Sequence, residues 1–247
     1  MEIRSFGVGR RIRVCERLLK ERLSGSSKRL ILLPIPTTRD GIYISGTDLA
    51  LSSLPSLFSA GAVLAGYNLP AELRREAEKN GMAIFDVAED ESFQLENARI
   101  SANGALGYLL TNLTRDISEL HLGIVGYGRI GRELLKLCLL FGASVTLFTT
   151  REAVALELCE AGVCARLLDE KTDLSGLDIL INTAPARLID EMRLDPKTDI
   201  LDLASGSIFE PSARLTKLSS IPDSFYPETA GRLYAEAVLR FVSEVEK

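Results

Sequence analysis

The chain has 247 residues, of which 46% are hydrophobic and 26% charged, with a formal net charge of −5. That balance is ordinary for a soluble globular protein and leaves room for one large or two modest α/β-sized cores. No run is apolar for long enough to cross a bilayer, and the opening residues are too arginine-rich for a secretory signal, so a cytoplasmic protein without a membrane role is expected.

Residues 3–8 read as a first strand, and Gly7-Val8-Gly9 turns it into a basic helix. Residues 1–30 carry Arg4, Arg10, Arg11, Arg13, Arg17, Lys20, Arg22, Lys28 and Arg29 against Glu2, Glu16 and Glu21, a balance of +6 that leaves −11 for the rest. These charges alternate with Ile12, Val14, Leu18, Leu19 and Leu23, and no aromatic residues interleave for base stacking. The pattern predicts the solvated face of an amphipathic helix and no nucleic-acid site. The turn has only two glycines in place and is read as a plain strand–helix connection.

Residues 30–33, 62–65 and 82–85 are predicted strands, the last two separated by a polar helix over 70–80 that stops at Gly81. Residues 92–113 read as one long helix or a pair broken near Asn103-Gly104, and 114–120 as a linker with a turn. Cys15, Cys138, Cys159 and Cys164 lack metal-ligand spacing, which predicts buried reduced thiols and no metal site.

His121-Leu-Gly-Ile-Val-Gly126-Tyr127-Gly128-Arg129-Ile130-Gly131 carries the strongest signal. An apolar strand ends in Gly-x-Gly-x-x-Gly, and a helix over 130–141 with apolar Ile130, Leu134, Leu137, Cys138 and Phe141 follows at once. Such a turn leaves backbone N–H groups and the positive helix end facing a pyrophosphate. Gly126 permits the tight turn, Gly128 the approach of phosphate, and Gly131 close packing of helix on strand. Residues 144–148 form the next strand. An NAD site usually places a carboxylate at its end, whereas this chain has Thr149-Thr150-Arg151. Two hydroxyls and a guanidinium suit a 2′-phosphate, so NADP is expected over NAD.

A helix over 152–161, strands near 164–168, 177–182 and 200–203, and a last helix from about 227 complete the chain. Alternating strands and helices predict two α/β domains. The first spans 1–100, joined by the C-terminal helix at about 228–247 packing back on it. The second, 101–227, is a Rossmann-type doubly wound parallel sheet. Two such halves imply a cleft where a substrate meets a nicotinamide. Thr37 to Asp40, Asn182-Thr183-Ala184-Pro185, Asp202 and Pro227-Glu228-Thr229 are the polar clusters at predicted strand ends.

The segments 33–41 (Leu-Pro-Ile-Pro-Thr-Thr-Arg-Asp-Gly), 126–131, 178–185 (Asp-Ile-Leu-Ile-Asn-Thr-Ala-Pro), 200–205 (Ile-Leu-Asp-Leu-Ala-Ser) and 227–231 (Pro-Glu-Thr-Ala-Gly) occur in that order. Together they resemble the A chain of dipicolinate synthase. The resemblance implies a flavodoxin-like substrate domain and a nucleotide domain like those of D-2-hydroxyacid dehydrogenases. It further implies NADP as cofactor and a flavoprotein-like second component of the synthase as partner. The implied product is pyridine-2,6-dicarboxylate, the calcium-chelating acid of bacterial spores, made during sporulation from a dihydrodipicolinate-type precursor. The chain departs from the family where Pro-Thr-x-Glu-Gly becomes Ile100-Ser101-Ala102-Asn103-Gly104, and where Arg-Pro-Gly-Gly becomes Gly206-Ser-Ile-Phe209. A Gly-Leu-Pro-Gly tract becomes Ile221-Pro-Asp-Ser-Phe225, and the first domain looks trimmed.

A dicarboxylate calls for cationic and amide donors. Arg39 with Thr38 is the candidate for one carboxylate, Asn103 and Thr229 for the other end, and Asp40 or Glu228 for the proton acceptor. The cofactor set is Gly126 through Gly131, Thr149, Thr150, Arg151 and Asn182 through Pro185. A D-2-hydroxyacid dehydrogenase needs a histidine beside a carboxylate, and the sole histidine, His121, stands at the end of its strand away from the phosphates. A nucleotide-binding regulatory protein that has lost turnover is the remaining alternative. A homodimer is expected by analogy with two-domain dehydrogenases.

Overall fold

The computed structural model describes residues 2–24, 29–185, 189, 193–204, 209–212 and 214–245. Lys28 of the basic run, Ser205 and residues 206–208 of the 200–209 motifs, and residues 246–247 of the last helix lie outside them. The chain divides into two compact units, residues 1–97 with 222–247 and residues 98–221.

The first unit is a four-stranded parallel sheet running β1 (Glu2–Ser5), β2 (Arg29–Leu32), β3 (Val63–Gly66), β4 (Ala83–Asp86) in chain order. The period-two alternation of its strands builds two cores. Leu30, Leu32, Val63 and Ala65 pack with α1 (Arg10–Arg22) and α7 (Pro227–Val245) on one face. Ile31, Leu33 and Leu64 pack with α2 (Ala71–Lys79) and a 3-10 turn over Leu51–Leu57 on the other. A flavodoxin-type sheet reverses its strand order. This sheet does not, because β3 pairs with β2 rather than with β1, leaving β1 at the edge.

α7 is amphipathic and packs along α1. A Cβ on Gly231 would lie 2.5 Å from that of Val14, so the close approach depends on glycine there. The buried Tyr234 hydroxyl donates to the Leu33 carbonyl at 2.9 Å. Asp86, 5% exposed, accepts from the backbone N–H groups of Asn68, Leu69 and Ala88 and from Arg74, pinning the turn after β3.

The second unit begins inside α3 (Glu91–Asn112), one unbroken helix rather than a pair divided at Asn103-Gly104. Ala102, Ala105, Leu106 and Leu109 bury one of its faces, which outweighs the helix cost of a glycine of about 1 kcal/mol. Its sheet is six-stranded and parallel, ordered β10 (Leu215–Lys217), β9 (Asp199–Asp202), β8 (Ile179–Asn182), β5 (His121–Val125), β6 (Ser144–Thr149), β7 (Ala165–Leu167). Counted within the domain, that is 6-5-4-1-2-3, the doubly wound Rossmann order. α4 (Arg129–Leu140) and α5 (Glu152–Glu160) follow β5 and β6. The strand β10 and the short helix α6 (Ile221–Phe225) carried no legible sequence pattern. Cys15 and Cys138 are buried, but Cys159 and Cys164 are exposed, correcting the expectation of four buried thiols. No described helix is long and apolar enough to cross a membrane.

Candidate functional site

Strand order in the second unit reverses between β5 and β8, the place where open α/β sheets bind ligands outside their carboxyl ends. β5 is buried from Leu122 onward and leads straight into the glycine turn. Gly126 holds φ +94°, a left-handed conformation that side-chain-bearing residues adopt only under strain. A Cβ at Gly131 would overlap the Gly126 carbonyl oxygen, so its lack of a side chain lets α4 press onto the turn. Gly128 differs, since a Cβ there would meet nothing within 4 Å. Its requirement is not internal packing, and the space beside it is open.

Gly128 is also the N-cap of α4, where no side chain caps the helix and the first turn has no acidic residue. The amides of this helix start, with the helix dipole behind them, therefore face outward without a capping side chain. The Thr183 hydroxyl, after β8, donates to the carbonyls of Val125 at 2.8 Å and Gly126 at 3.3 Å and fixes the turn across the strand-order reversal. Asn182 is 1% exposed; its Nδ2 donates to Asp202 Oδ1 at 2.8 Å and to the Ala184 carbonyl. Asp202 Oδ1 also accepts from Ala204 N at 3.1 Å, whereas the buried Oδ2 has no partner among the described residues.

At the end of β6, Thr149 is buried and its Oγ1 accepts from Arg151 N, while Thr150 is exposed. Arg151 is the N-cap of α5, and its Nη2 donates to the Tyr127 carbonyl at 2.8 Å, laying a guanidinium across the glycine turn. Arg132 stacks over the Tyr127 ring at 4.9 Å. This contact was not anticipated, although an arginine one position past the last glycine, with Tyr127 inside the motif, was its visible sign. The nearest carboxylate along the chain, Glu152, sits in the first turn of α5, where it complements the helix dipole. The cofactor residues foreseen from sequence are thus assembled in one unit, around an open, donor-rich turn flanked by cations. That donor set and the cradle at Gly128 fit a diphosphate.

The substrate candidates are placed differently. Thr38 and Asp40 share an exposed turn after β2. Asp40 Oδ1 accepts from the N–H groups of Ile42 and Tyr43 and from Thr38, while Thr38 Oγ1 accepts from Gly41 N. The N–H bonds from Tyr43 and Ile42 hold its carboxyl below the usual range. A proton acceptor at neutral pH needs the opposite shift, so Asp40 is a turn residue. Arg39 is exposed in the same turn. Glu228, in the first turn of α7, makes an exposed ion pair with Arg17 at 2.9 Å, and Thr229 beside it is half-buried. Glu228 thus spends its carboxylate on a surface cation of α1. Asn103 is half-buried in α3 and belongs to the second unit, whereas Thr38, Arg39, Asp40, Glu228 and Thr229 belong to the first.

His121 opens β5 at the end opposite Gly126. Its Nδ1 lies 3.1 Å from the Gly176 carbonyl and its Nε2 2.8 Å from Thr146 Oγ1. The only histidine therefore braces the amino end of a central strand, and the histidine-dependent dehydrogenase chemistry has no acid–base group at the glycine turn. Among the described residues no cluster of His, Cys, Asp and Glu could hold a metal.

Residues 98–194 match the family model described as the D-isomer specific 2-hydroxyacid dehydrogenase, NAD binding domain. The second unit is thus a Rossmann-type NAD(P)-binding domain. The fold of the whole chain is similar to that of the dipicolinate synthase A chain from Bacillus subtilis, with a TM-score of 0.78 and 20% identity, covering 100% of this chain and 97% of that one. The corresponding dipicolinate synthase chain from Bacillus halodurans gives a TM-score of 0.79 at 16% identity, covering 98% and 97%. The apo form of D-lactate dehydrogenase from Escherichia coli gives 0.65 at 14% identity, covering 100% and 97%. At such identities the likeness establishes the fold. No curated protein sequence matches the chain.

Proposed function

We propose that the chain is an NADP-dependent oxidoreductase of the dipicolinate synthase A-chain type, acting on a dihydrodipicolinate-like dicarboxylate. The observation that carries this reading is the uncapped α4 start, open at Gly128, with Arg151 lying across it and no carboxylate at the end of β6. In this reading, the amides from Gly126 to Gly131 bind the diphosphate. Thr150 and Arg151 bind the 2′-phosphate, each charge-assisted hydrogen bond contributing about 1.5–3 kcal/mol. Thr183 to Pro185 border the nicotinamide side, where the unpartnered Asp202 Oδ2 is an acceptor for the carboxamide. The cofactor, when bound, supplies the hydride acceptor. The protein's task is to orient a dihydro ring whose loss of one hydride and one proton makes it aromatic. The similarity of the whole fold to two dipicolinate synthase A chains supports this assignment, as does the order of the five motifs. A flavoprotein-like second component and a second copy of the chain are the proposed partners, in the cytoplasm of a spore-forming cell.

A second reading, nucleotide binding without turnover, is favoured by Asn103 in place of a glutamate and by the structural roles of Asp40 and Glu228. Absorbance at 340 nm separates the two. Purified chain with NADP+, a dihydrodipicolinate source and the flavoprotein-like partner is expected to show growth of NADPH absorbance. Tight nucleotide binding with a flat trace would instead establish the second reading.

A further inference from the structure

The basic face of α1 contains one exception to its solvation. Arg11 is 6% exposed, while Arg10 and Arg13 on the same turn are open to water. Its Nε and Nη1 are buried with no hydrogen-bond partner among the described residues. The nearby carboxylate of Asp223 directs Oδ1 to the backbone N–H of Arg11 at 2.5 Å and so caps α1. The guanidinium lies within electrostatic range of Asp223 first, and then of Tyr234 and Tyr67, without a hydrogen bond from its Nε or Nη1 to any of them. Tyr67 directly follows β3, and Tyr234 donates to the carbonyl that ends the β2 core segment, so this cation belongs to the carboxyl ends of the first sheet.

That edge is polar in other ways. Thr37 is fully buried and its Oγ1 accepts from Tyr67 N at 2.9 Å. Ser45 donates its N–H to the Thr37 carbonyl, and its buried Oγ has no partner among the described residues. Parallel α/β sheets bind ligands at their carboxyl ends, and a buried cation with unspent donors is unfavourable unless something completes it. Burial lowers the Arg11 pKa to about 10, which leaves it charged at neutral pH.

We propose that Arg11 is the carboxylate-binding residue of the first domain, its free guanidinium donors receiving an acid group of the substrate at the ends of β2 and β3. The proposal rests on the reading of a small dicarboxylate substrate, and it assigns to Arg11 the anchoring role that the exposed Arg39 was expected to fill. It also makes Arg11 a residue kept against the interests of the empty fold. Removing a buried, incompletely paired charge should leave the fold as stable or make it more so, while removing the ligand's partner should abolish binding.

The test uses the full chain as wild type, Arg11→Met and Arg11→Lys. Thermal unfolding and calorimetry are followed with pyridine-2,6-dicarboxylate, succinate and inorganic phosphate, and nucleotide binding is titrated separately. Wild type should be stabilised by the dicarboxylates. Arg11→Met should unfold at the same or a higher temperature without ligand and lose at least about tenfold in dicarboxylate affinity, the equivalent of one charge-assisted hydrogen bond. Arg11→Lys should bind more weakly than wild type, because it lacks the planar fork. Nucleotide affinity should not change in either variant. The proposal is overturned if Arg11→Met lowers the unfolding temperature or fails to fold, or if dicarboxylates bind it as tightly as wild type. It is also overturned if no dicarboxylate stabilises wild type, or if only phosphate shows dependence on Arg11. Arg11-dependent dicarboxylate binding without any NADPH formation would uphold this assignment and remove the oxidoreductase reading alone.

Discussion

Replacing Gly128 with alanine tests whether the glycine turn serves a ligand or only the chain. The backbone at Gly128 has φ −84°, which alanine adopts without strain, and its new Cβ would meet no atom within 4 Å. The folded state should therefore tolerate the change within about 1 kcal/mol, the poorer N-cap preference of alanine against a smaller unfolded-state entropy. For a chain of this size that is about 2–4 °C at most. The methyl group would nevertheless fill the space through which a diphosphate reaches the α4 amides. Losing one or two charge-assisted hydrogen bonds at about 1.5–3 kcal/mol each weakens nucleotide binding by at least about tenfold. Gly131→Ala is the contrast, because its Cβ overlaps the Gly126 carbonyl oxygen and must displace α4. It should lose about 1–3 kcal/mol of stability as well as nucleotide affinity. Calorimetric titration with NADPH, paired with thermal unfolding of both variants, reads the two effects separately. Gly128→Ala binding NADPH as tightly as wild type would refute the placement of the diphosphate.

Arg151→Asp should cost NADP(H) at least about tenfold in affinity while sparing NAD(H), since only the 2′-phosphate loses a cation; equal losses measured by calorimetry would overturn the cofactor preference. Asp86→Ala should destabilise the first unit by about 3–5 kcal/mol in chemical denaturation, because Arg74 and three turn amides lose their acceptor. Tyr234→Phe leaves the Leu33 carbonyl buried and unpaired and should cost about 1–3 kcal/mol, with no change in nucleotide binding. The N–H bond from His121, and then Arg115, hold the Asp178 carboxyl below its usual range. Its contribution is complete above the unfolded value of about 3.9 and disappears as pH falls through the lower folded value. Asp178→Asn should accordingly flatten the acid limb of a stability-against-pH curve below about pH 4 and leave its neutral region unchanged in shape.

The second unit was the more legible half. Its glycine turn, the apolar β5 and the amphipathic α4 lie within twenty residues of one another, so strand period, helix period and glycine positions report directly on local geometry. The end of β6 was legible for the same reason, because a strand's last residues stand at a fixed place relative to the neighbouring turn. The substrate residues were not. Thr38, Asp40 and Glu228 are the right residue types, yet which of them spends its oxygens on a turn or on a surface cation depends on neighbours the pattern does not specify. Asn103-Gly104 left one long helix and a broken pair both open, because propensity by itself does not register the burial of Ala102, Ala105 and Leu106 that decides for one helix.

Local spacing alone determined that a strand turns on glycines into a helix and that a guanidinium, not a carboxylate, follows the next strand. Those are properties of a few consecutive residues and of backbone sterics. Only the tertiary structure decided that Arg11 is buried among otherwise solvated arginines, that Asp223 caps α1 from 212 positions away, and that Tyr234 reaches the Leu33 carbonyl across 201. That the last helix returns to the first domain was expected from the sequence, but these particular contacts follow from how α7 lies along α1, a long-range packing whose energy comes from area buried between distant segments and whose partners neither segment specifies by itself.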